Sequence, residues 1–247
     1  SDAITGSYVL GKKTFNKAEA DQLLFSAGII SDLKGKSIDG RDVFAKLLPK
    51  NSPLKMPSEI LSKNTFGVEE GEMVKMVDKI HGRKETMSIV RKAFTIGTMH
   101  LSMEGHTLSL RDLDVPQKIK LITSEIIEKA YKRTAEISVL AEKGELDLIA
   151  GKNTEETKEI KITQVLNEVR SNISKIVKEN LEKESNISKM INSGSAGSVL
   201  NITQISCCVG QQSLWNQRIN FGYTGRTLSH FKRGDTGPEA HGFIKSS

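Results

Sequence analysis

Cysteine is nearly absent. The 247 residues hold two, adjacent to each other, Cys207 and Cys208. No disulfide framework can be built on them, which points to a reducing compartment. No stretch approaches the ~18 consecutive apolar residues of a membrane-crossing helix, and residues 1–11 have no apolar run behind a basic start. Neither a membrane span nor a signal peptide is expected. Hydrophobic residues make up 37% of the chain and aromatics 5%, with one Trp. That is lean against the roughly 45–50% apolar usage of globular domains, and it predicts surfaces that something else covers. Also missing is a short loop carrying several carboxylates, the donor set that a hard cation requires. Asp112-Leu-Asp114 comes nearest and reads as a turn and helix cap. His81, His100 and His106 are scattered, and the cysteine pair has no His or Cys at zinc spacing. No metal site is expected.

The charge that is present lies unevenly. The formal net charge is +6. Residues 1–100 carry 16 basic and 12 acidic side chains, residues 116–190 carry 14 and 13, and residues 191–247 carry 5 and 2. Such a mild excess is compatible with nucleic acid nearby but is no polybasic tail. From Ile191 to Gln217 there is no charge, and Ser, Asn, Gln and Gly abound. That switch predicts a domain boundary near residues 185–192.

Local patterns predict an α+β chain that is mostly helical. Asn16 with Glu19 reads as a capping box opening a helix over Lys17–Ser26, stopped at Gly28. Asp39 and Asp42 open a second helix, running through Phe44, Leu47 and Leu48 to Pro49. Residues 50–66 read as loop with short strand pieces. Helices at Gly71–Ile80 and Lys84–His100 are separated by Gly82, and short strands are predicted at Tyr8–Leu10, Ile29–Ile30 and Thr107–Leu110. From Pro116 to Lys143 apolar residues fall at Ile119, Ile122, Ile126, Ala130, Ile137 and Leu140. From Glu155 to Leu181 they fall at Ile162, Val165, Val169, Ile173 and Ile176. Steps of three, four and seven mark one face of a helix. Asn153 with Glu156 caps the second helix, and Gly144 and Gly151 bracket the connector. The expected structure is an antiparallel hairpin of two helices, each stripe packing on the other and the outer faces solvated.

The last region is rich in short polar motifs: Asn192-Ser-Gly-Ser-Ala-Gly-Ser198, Asn201-Ile-Thr-Gln204 and Val209-Gly-Gln-Gln-Ser213. After them come Arg218-Ile, Phe221-Gly-Tyr, Arg226-Thr-Leu-Ser-His-Phe231 and Pro238-Glu-Ala-His-Gly-Phe243. Its glycines permit tight turns. Its neutral side chains can tie loops together or line a path for polar ligands without trapping them by charge.

In order and spacing these motifs resemble the largest subunit of multisubunit DNA-directed RNA polymerase of the archaeal/eukaryotic type. Upstream, Asp2-Ala-Ile-Thr-Gly6, the segment Ser37–Pro49, the hairpin at 116–183 and Glu184–Asn192 are similar to the same subunit. The resemblance therefore covers essentially the whole chain and is strongest at 184–247. It implies that residues 1–110 are the pore domain, 111–184 the funnel with its helical hairpin, and 185–247 the start of the segment leading to the bridge helix. The family's aspartate triad, which holds Mg²⁺, has no counterpart here, so the chain is expected to be an inactive segment of a longer subunit, with Mg²⁺ bound elsewhere. The implied role is to shape the secondary channel through which NTPs arrive and the 3′ end of backtracked RNA leaves, with transcript-cleavage factors docking at its rim. Implied partners are the other polymerase subunits; DNA is met only through the full enzyme, and no membrane is involved. The compartment is the cytoplasm in an archaeon or the nucleus in a eukaryote.

Gln204, Gln211, Gln212 and Ser213 lie in motifs that in the family line the floor under the bridge helix, and Asn201 and Arg218 are expected to hydrogen-bond in the same layer. For those four, hydrogen-bonded packing between loops is the other reading. Ser193, Gly194, Ser195, Gly197 and Ser198 form the glycine loop near the NTP path. Arg226, His230 and Glu239 belong to structural motifs. The glycine loop has Ala196 where the family has Lys or Arg, so no side-chain phosphate contact is expected there, although its backbone amides could form an anion-binding nest. Ser229 replaces Pro, Asn216 replaces Gly and His241 replaces Arg. The alternative class is a stand-alone nucleic-acid-binding or coiled-coil scaffold protein.

Overall fold

Gly6 and Gly97 set the first crossing of the chain. In the computed structural model, which describes residues 2–50, 52–53, 61–66, 71–220 and 225–246, a Cβ on Gly6 would stand 1.9 Å from the carbonyl oxygen of Gly97, and one on Gly97 would stand 2.1 Å from that of Ala3. Only glycine lets the two backbones approach so closely.

In chain order the elements are α1 (Asp2–Leu10), β1 (Thr14–Phe15), α2 (Lys17–Ser26), β2 (Ile38–Asp39), α3 (Gly40–Ala45), α4 (Lys63–Phe66) and α5 (Glu72–Glu104). A 3₁₀ turn at Leu110–Leu113 precedes α6 (Gln117–Lys143), α7 (Thr154–Asn180), α8 (Asn186–Asn192) and α9 (Val199–Ser206). Short strands β3 (Gly210–Gln211), β4 (Ser213–Leu214), β5 (Gln217–Arg218) and β6 (Phe243–Ile244) close the list. The described chain is therefore mostly helical.

Two compact units result. The first joins Ser1–Asp112 to Glu182–Gly197. Its core gathers Leu10, Leu23, Leu24, Val43, Phe44, Val77, Ile89 and Ile96 around the α1–α5 crossing. The capping box predicted at Asn16 is present: Asn16 Oδ1 accepts from Glu19 N at 3.0 Å, and Glu19 Oε2 accepts from Asn16 N at 3.0 Å. Asp39 caps α3, accepting from Arg41 N at 2.8 Å. That helix stops at Ala45, so Leu47 and Leu48 lie in the turns that follow it. Glu72–Glu104 runs as one element broken at Gly82, whose φ of 76° and ψ of 165° lie outside helical space.

None of the three predicted strands forms. Tyr8–Leu10, a β-prone triplet, ends α1 because the close crossing on α5 holds that segment helical. Ile29–Ile30 is loop. Thr107–Leu110 is loop running into the 3₁₀ turn, tied by the Asp112 carboxylate, which accepts from Ser109 N at 2.7 Å. The strands of this unit are instead β1 and β2, antiparallel, with Thr14 opposite Asp39. Much of the loop expected at 50–66 lies outside the described residues, and its end forms α4.

The second unit comprises Leu113–Leu181 and Ser198–Ser247. α6 ends at Gly144 in the left-handed region, and α7 opens on the predicted capping box, Asn153 with Glu156. The buried rows are Ile119, Thr123, Ile127, Ala130, Thr134 and Ile137 on α6, and Thr157, Ile162, Leu166, Val169, Ile173 and Val177 on α7. Ile122 and Ile126 are thus only half-buried and Leu140 is 37% exposed. Ile119, Ala130 and Ile137 of α6 and Ile162, Val169 and Ile173 of α7 fall on the predicted rows, whereas at Ile122, Ile126, Val165 and Ile176 the next residue is buried instead; the buried Thr134 donates its hydroxyl to Tyr131 O at 2.9 Å.

Candidate functional site

The Val209–Ser213 and Pro238–Phe243 motifs come together in the second unit. β3 pairs with β6 antiparallel, Gln211 opposite Phe243. Gln211 is buried, and its amide nitrogen donates to the carbonyls of Gln212 at 2.6 Å and His241 at 2.8 Å. Its Oε1 is buried with no hydrogen-bond partner. Gln212 is half-buried; its backbone N–H donates to Gly242 O at 2.9 Å. Gly242 holds φ 91°, and a Cβ there would stand 2.9 Å from Ile219 Cδ1, so this position takes glycine. Tyr131 of α6 seals the layer: its hydroxyl donates to Glu239 at 3.1 Å and its ring meets Phe243 edge-on at 5.5 Å. Burial, and then the neighbouring Glu239 carboxylate, push the Tyr131 phenol pKa up.

Ser213 is exposed on β4, directly opposite Arg218 on β5. Trp215 and Asn216 turn the hairpin, both with positive φ, 50° and 62°. Two such residues make the type I′ geometry that suits a two-residue hairpin, and the usual Gly is met here by Asn. Trp215 is 88% exposed. Arg218 is buried and grips Glu159 of α7 with two prongs, at 2.9 and 2.7 Å. Burial alone would raise the Glu159 pKa, but the guanidinium outweighs it and holds the carboxyl below the usual range.

Beside this pair a cleft of about 660 Å³ is lined by Lys158, Glu159, Gln164, Trp215, Asn220 and His241 among others. Its cations have carboxylates at hand: Lys158 meets Glu155 at 2.7 Å, Lys152 meets Glu156 at 3.8 Å, and Arg218 meets Glu159. Such a surface suits uncharged polar groups better than a tightly held phosphate. Among the described residues no group of three His, Cys, Asp or Glu lies close enough to hold a metal ion.

The other expected residues fall into local roles. Asn201, exposed on α9, takes the Ser198 hydroxyl at 2.5 Å, while Ser198 caps the same helix by accepting from Asn201 N at 3.3 Å. Gln204 is half-buried on α9. Arg226 donates to Ser229 O at 3.0 Å and so closes its own loop. His230 is exposed and leans on Phe231, ring centroids 4.1 Å apart. Glu239 also takes Lys245 at 3.0 Å. Phe221, Gly222 and Tyr223 lie outside the described residues.

Ser193 to Gly197 belong to the first unit. Ser193 is buried, its hydroxyl donating to Met190 O at 2.8 Å. Gly194, φ 71°, donates to Ile191 O at 2.9 Å, and Ser195 N donates to Met190 O at 3.3 Å. This is a Schellman closure of α8. It takes two amides from the expected anion nest, those of Gly194 and Ser195, which are spent on the helix end. Ser195 also takes the Thr5 hydroxyl at 2.8 Å, and a Cβ on Gly194 would stand 2.8 Å from Lys63 Cγ. Gly197 is exposed with φ 75°.

Two residues of this arrangement were not singled out by sequence, Glu159 and Tyr131. Each sits on a hairpin helix among solvated charges, and its partner lies 59 or 108 residues away. No local pattern announces either.

The chain is similar to polymerase subunits along its length. The family model for RNA polymerase Rpb1, domain 4, matches residues 138–244. The whole chain aligns at 30% identity with DNA-directed RNA polymerase subunit Rpo1N of Methanocaldococcus jannaschii, spanning 21% of that protein. It aligns equally well with the subunit of the same name from Halobacterium salinarum, spanning 28% of it. With that of Halococcus morrhuae it shares 33% identity over 76% of this chain and 54% of the other. The chain thus spans between about a fifth and about half of these relatives.

Proposed function

Because this chain belongs to the family of the archaeal-type largest subunit of DNA-directed RNA polymerase, we propose that it forms part of the secondary channel of such an enzyme. In this reading residues 1–110 are the pore domain, 111–184 the funnel, and 185–247 the approach to the bridge helix. The full enzyme transfers nucleotides with Mg²⁺ held outside this chain; the chain itself supplies walls. The glycine loop stays near the NTP path as wall and not as a phosphate grip, since Ala196 has no charge to offer and the Ser193, Ser195 and Ser198 hydroxyls donate within the chain.

The observation that carries this reading is the layer of Gln211, Gln212, Gly242 and Phe243 built against the α6–α7 hairpin. It joins in one place motifs that the family keeps in order, and it presents amides and a self-neutralised ion pair. Solutes carrying triphosphate would pass such a wall without being held. Partners in this reading are the other polymerase subunits, a transcript-cleavage factor at the hairpin, and NTPs and the RNA 3′ end in passing. The setting is the cytoplasm of an archaeal cell; among the described residues no helix is long and apolar enough to cross a membrane.

The test uses the full-length subunit in reconstituted polymerase. Lys129→Glu with Lys132→Glu changes two exposed side chains of α6. Altered factor-stimulated RNA cleavage or NTP dependence is expected, with the melting temperature of the chain nearly unchanged. Steeply salt-dependent binding of free DNA by the chain, without association to polymerase subunits, would overturn the reading in favour of a stand-alone nucleic-acid binder.

A further inference from the structure

The exposed residues of α5, before and after its break at Gly82, carry two features that are ordinarily kept apart. Met76, Ile80, Met87 and Phe94 are 46%, 45%, 62% and 41% exposed. Between and beside them stand Lys75, Lys79, Arg83, Lys84, Arg91 and Lys92, against only Asp78 and Glu85 in the same stretch. Past Gly82, Met87, Arg91 and Phe94 are spaced by four and three and share one side of the helix. The other side carries the buried Ile89, Ala93, Ile96 and His100.

Elsewhere in this unit some cations are matched, Lys12 with Glu184, Lys13 with Glu104, Lys17 with Asp21, Arg41 with Asp39 and Lys46 with Asp32, while Lys34, Lys36, Lys50 and Arg111 show no ion pair among the described residues. Among the described residues, none of the six on α5 has an ion-pair partner.

We infer that the exposed side of α5 beyond Gly82, around Met87, Arg91 and Phe94, is a docking surface for an acidic, amphipathic helix of a partner protein. Charge complementarity selects the sign, since carboxylates on the partner meet Arg83, Lys84, Arg91 and Lys92, against Glu85 alone in that stretch. The apolar side chains select the class. Phosphate backbones offer nothing to bury Met87 and Phe94 against, and nucleic acid would use the cations alone. A membrane surface needs apolar and basic residues on separate sides, whereas here they interleave. A helix with apolar residues at three- and four-residue spacing, edged by Asp and Glu, fits both features at once. The inference does not rest on the channel reading.

A benzophenone photophore at Met87 of the full-length protein, irradiated in its purified native assembly, tests it, with the crosslinked segment read by mass spectrometry. Crosslinking to a protein segment with apolar residues at helical spacing and flanking carboxylates is expected. Arg83→Glu with Arg91→Glu is expected to cut the yield at least about ten-fold, the effect of losing ~1.4 kcal/mol of attraction. Reversing the mapped carboxylates to Lys should restore it. Crosslinks to nucleic acid or lipid, a segment without acidic residues, a yield indifferent to charge reversal, or a yield no higher than from a photophore at the exposed Glu136 would each overturn the inference. Both arginines are exposed, and a melting curve shared with the parent separates loss of docking from loss of fold.

Discussion

Arg218 and Glu159, 59 residues apart, meet through two parallel hydrogen bonds, and the Nη1 of the same guanidinium is buried without a partner. The pair is asymmetric: the Arg218 side chain is 3% exposed and that of Glu159 40%. Removing the arginine therefore strands a carboxylate that water can partly reach. Arg218→Ala is expected to cost about 3 kcal/mol, the lower end for breaking a buried pair. Arg218→Lys, which keeps the charge and loses the fork, should recover only part of it. Urea unfolding of both variants, with Glu159→Gln as the other arm of a double-mutant cycle, measures the coupling; additive losses would count against a direct pair.

The same carboxylate sets an acid limit. Glu159 is held below its ordinary range in the folded chain, so its contribution is present above the unfolded value, about 4.3, and is lost as pH falls through the folded value. Unfolding free energy followed from about pH 6 to pH 3 should fall less steeply in Glu159→Gln than in the parent. Parallel curves would assign the acid loss to other carboxylates.

At the alkaline end Tyr131 takes over. Its raised phenol pKa means that its contribution is present below the ordinary tyrosine value of about 10 and is lost as pH rises through the folded one. In a phenolate absorbance titration of the folded chain, which holds three tyrosines, Tyr131 is expected to ionise well after a free phenol. Glu239→Gln should bring it part of the way back, since burial remains. A Tyr131→Phe chain that keeps the late phase would show that the wrong ring had been identified.

Gly97 offers a steric test. An added Cβ would fall 2.1 Å from a backbone oxygen of α1, which no rotamer change relieves. Gly97→Ala should destabilise the first unit by about 3 kcal/mol or more, the upper range of overpacking. Gly28→Ala is the control: nothing lies within 4 Å of its Cβ and only φ +70° opposes it, for about 1–2 kcal/mol. Comparable melting shifts for the two would remove the helix crossing as the cause.

Legibility in the sequence followed range. Asn16 with Glu19 and Asn153 with Glu156 were readable because a capping box is written within four residues. So were the helix stop at Gly144 and the break at Gly82. The hairpin seam was readable at Ile119, Ala130, Ile137, Ile162, Val169 and Ile173, but at Ile122 and Ile126 it lies one residue on, at Thr123 and Ile127, because packing direction, and not hydrophobicity alone, decides which row faces the partner helix. Tyr8–Leu10 read as a strand because its propensity is real, and tertiary contact at Gly6 overrode it. Ser and Gly in the 193–198 loop announced a turn, but not that its amides would close α8. The polar layer was legible as motifs and illegible as pairings. That Gln211 would lie beside His241, or Arg218 beside Glu159, depends on chain returning from 30 or 59 residues away.

The first unit is completed by residues that come late. Thr5 bonds Ser195, Lys12 bonds Glu184, and Thr107 accepts from Asn186 at 2.8 Å. On the ribosome the α1–α5 crossing can form early, but its closing pieces are made only after the entire α6–α7 hairpin. At ~5–20 residues per second that wait lasts roughly 5–15 s. A nascent chain paused near residue 112 would expose the seats of α8, so this stretch of synthesis is where a chaperone gains most.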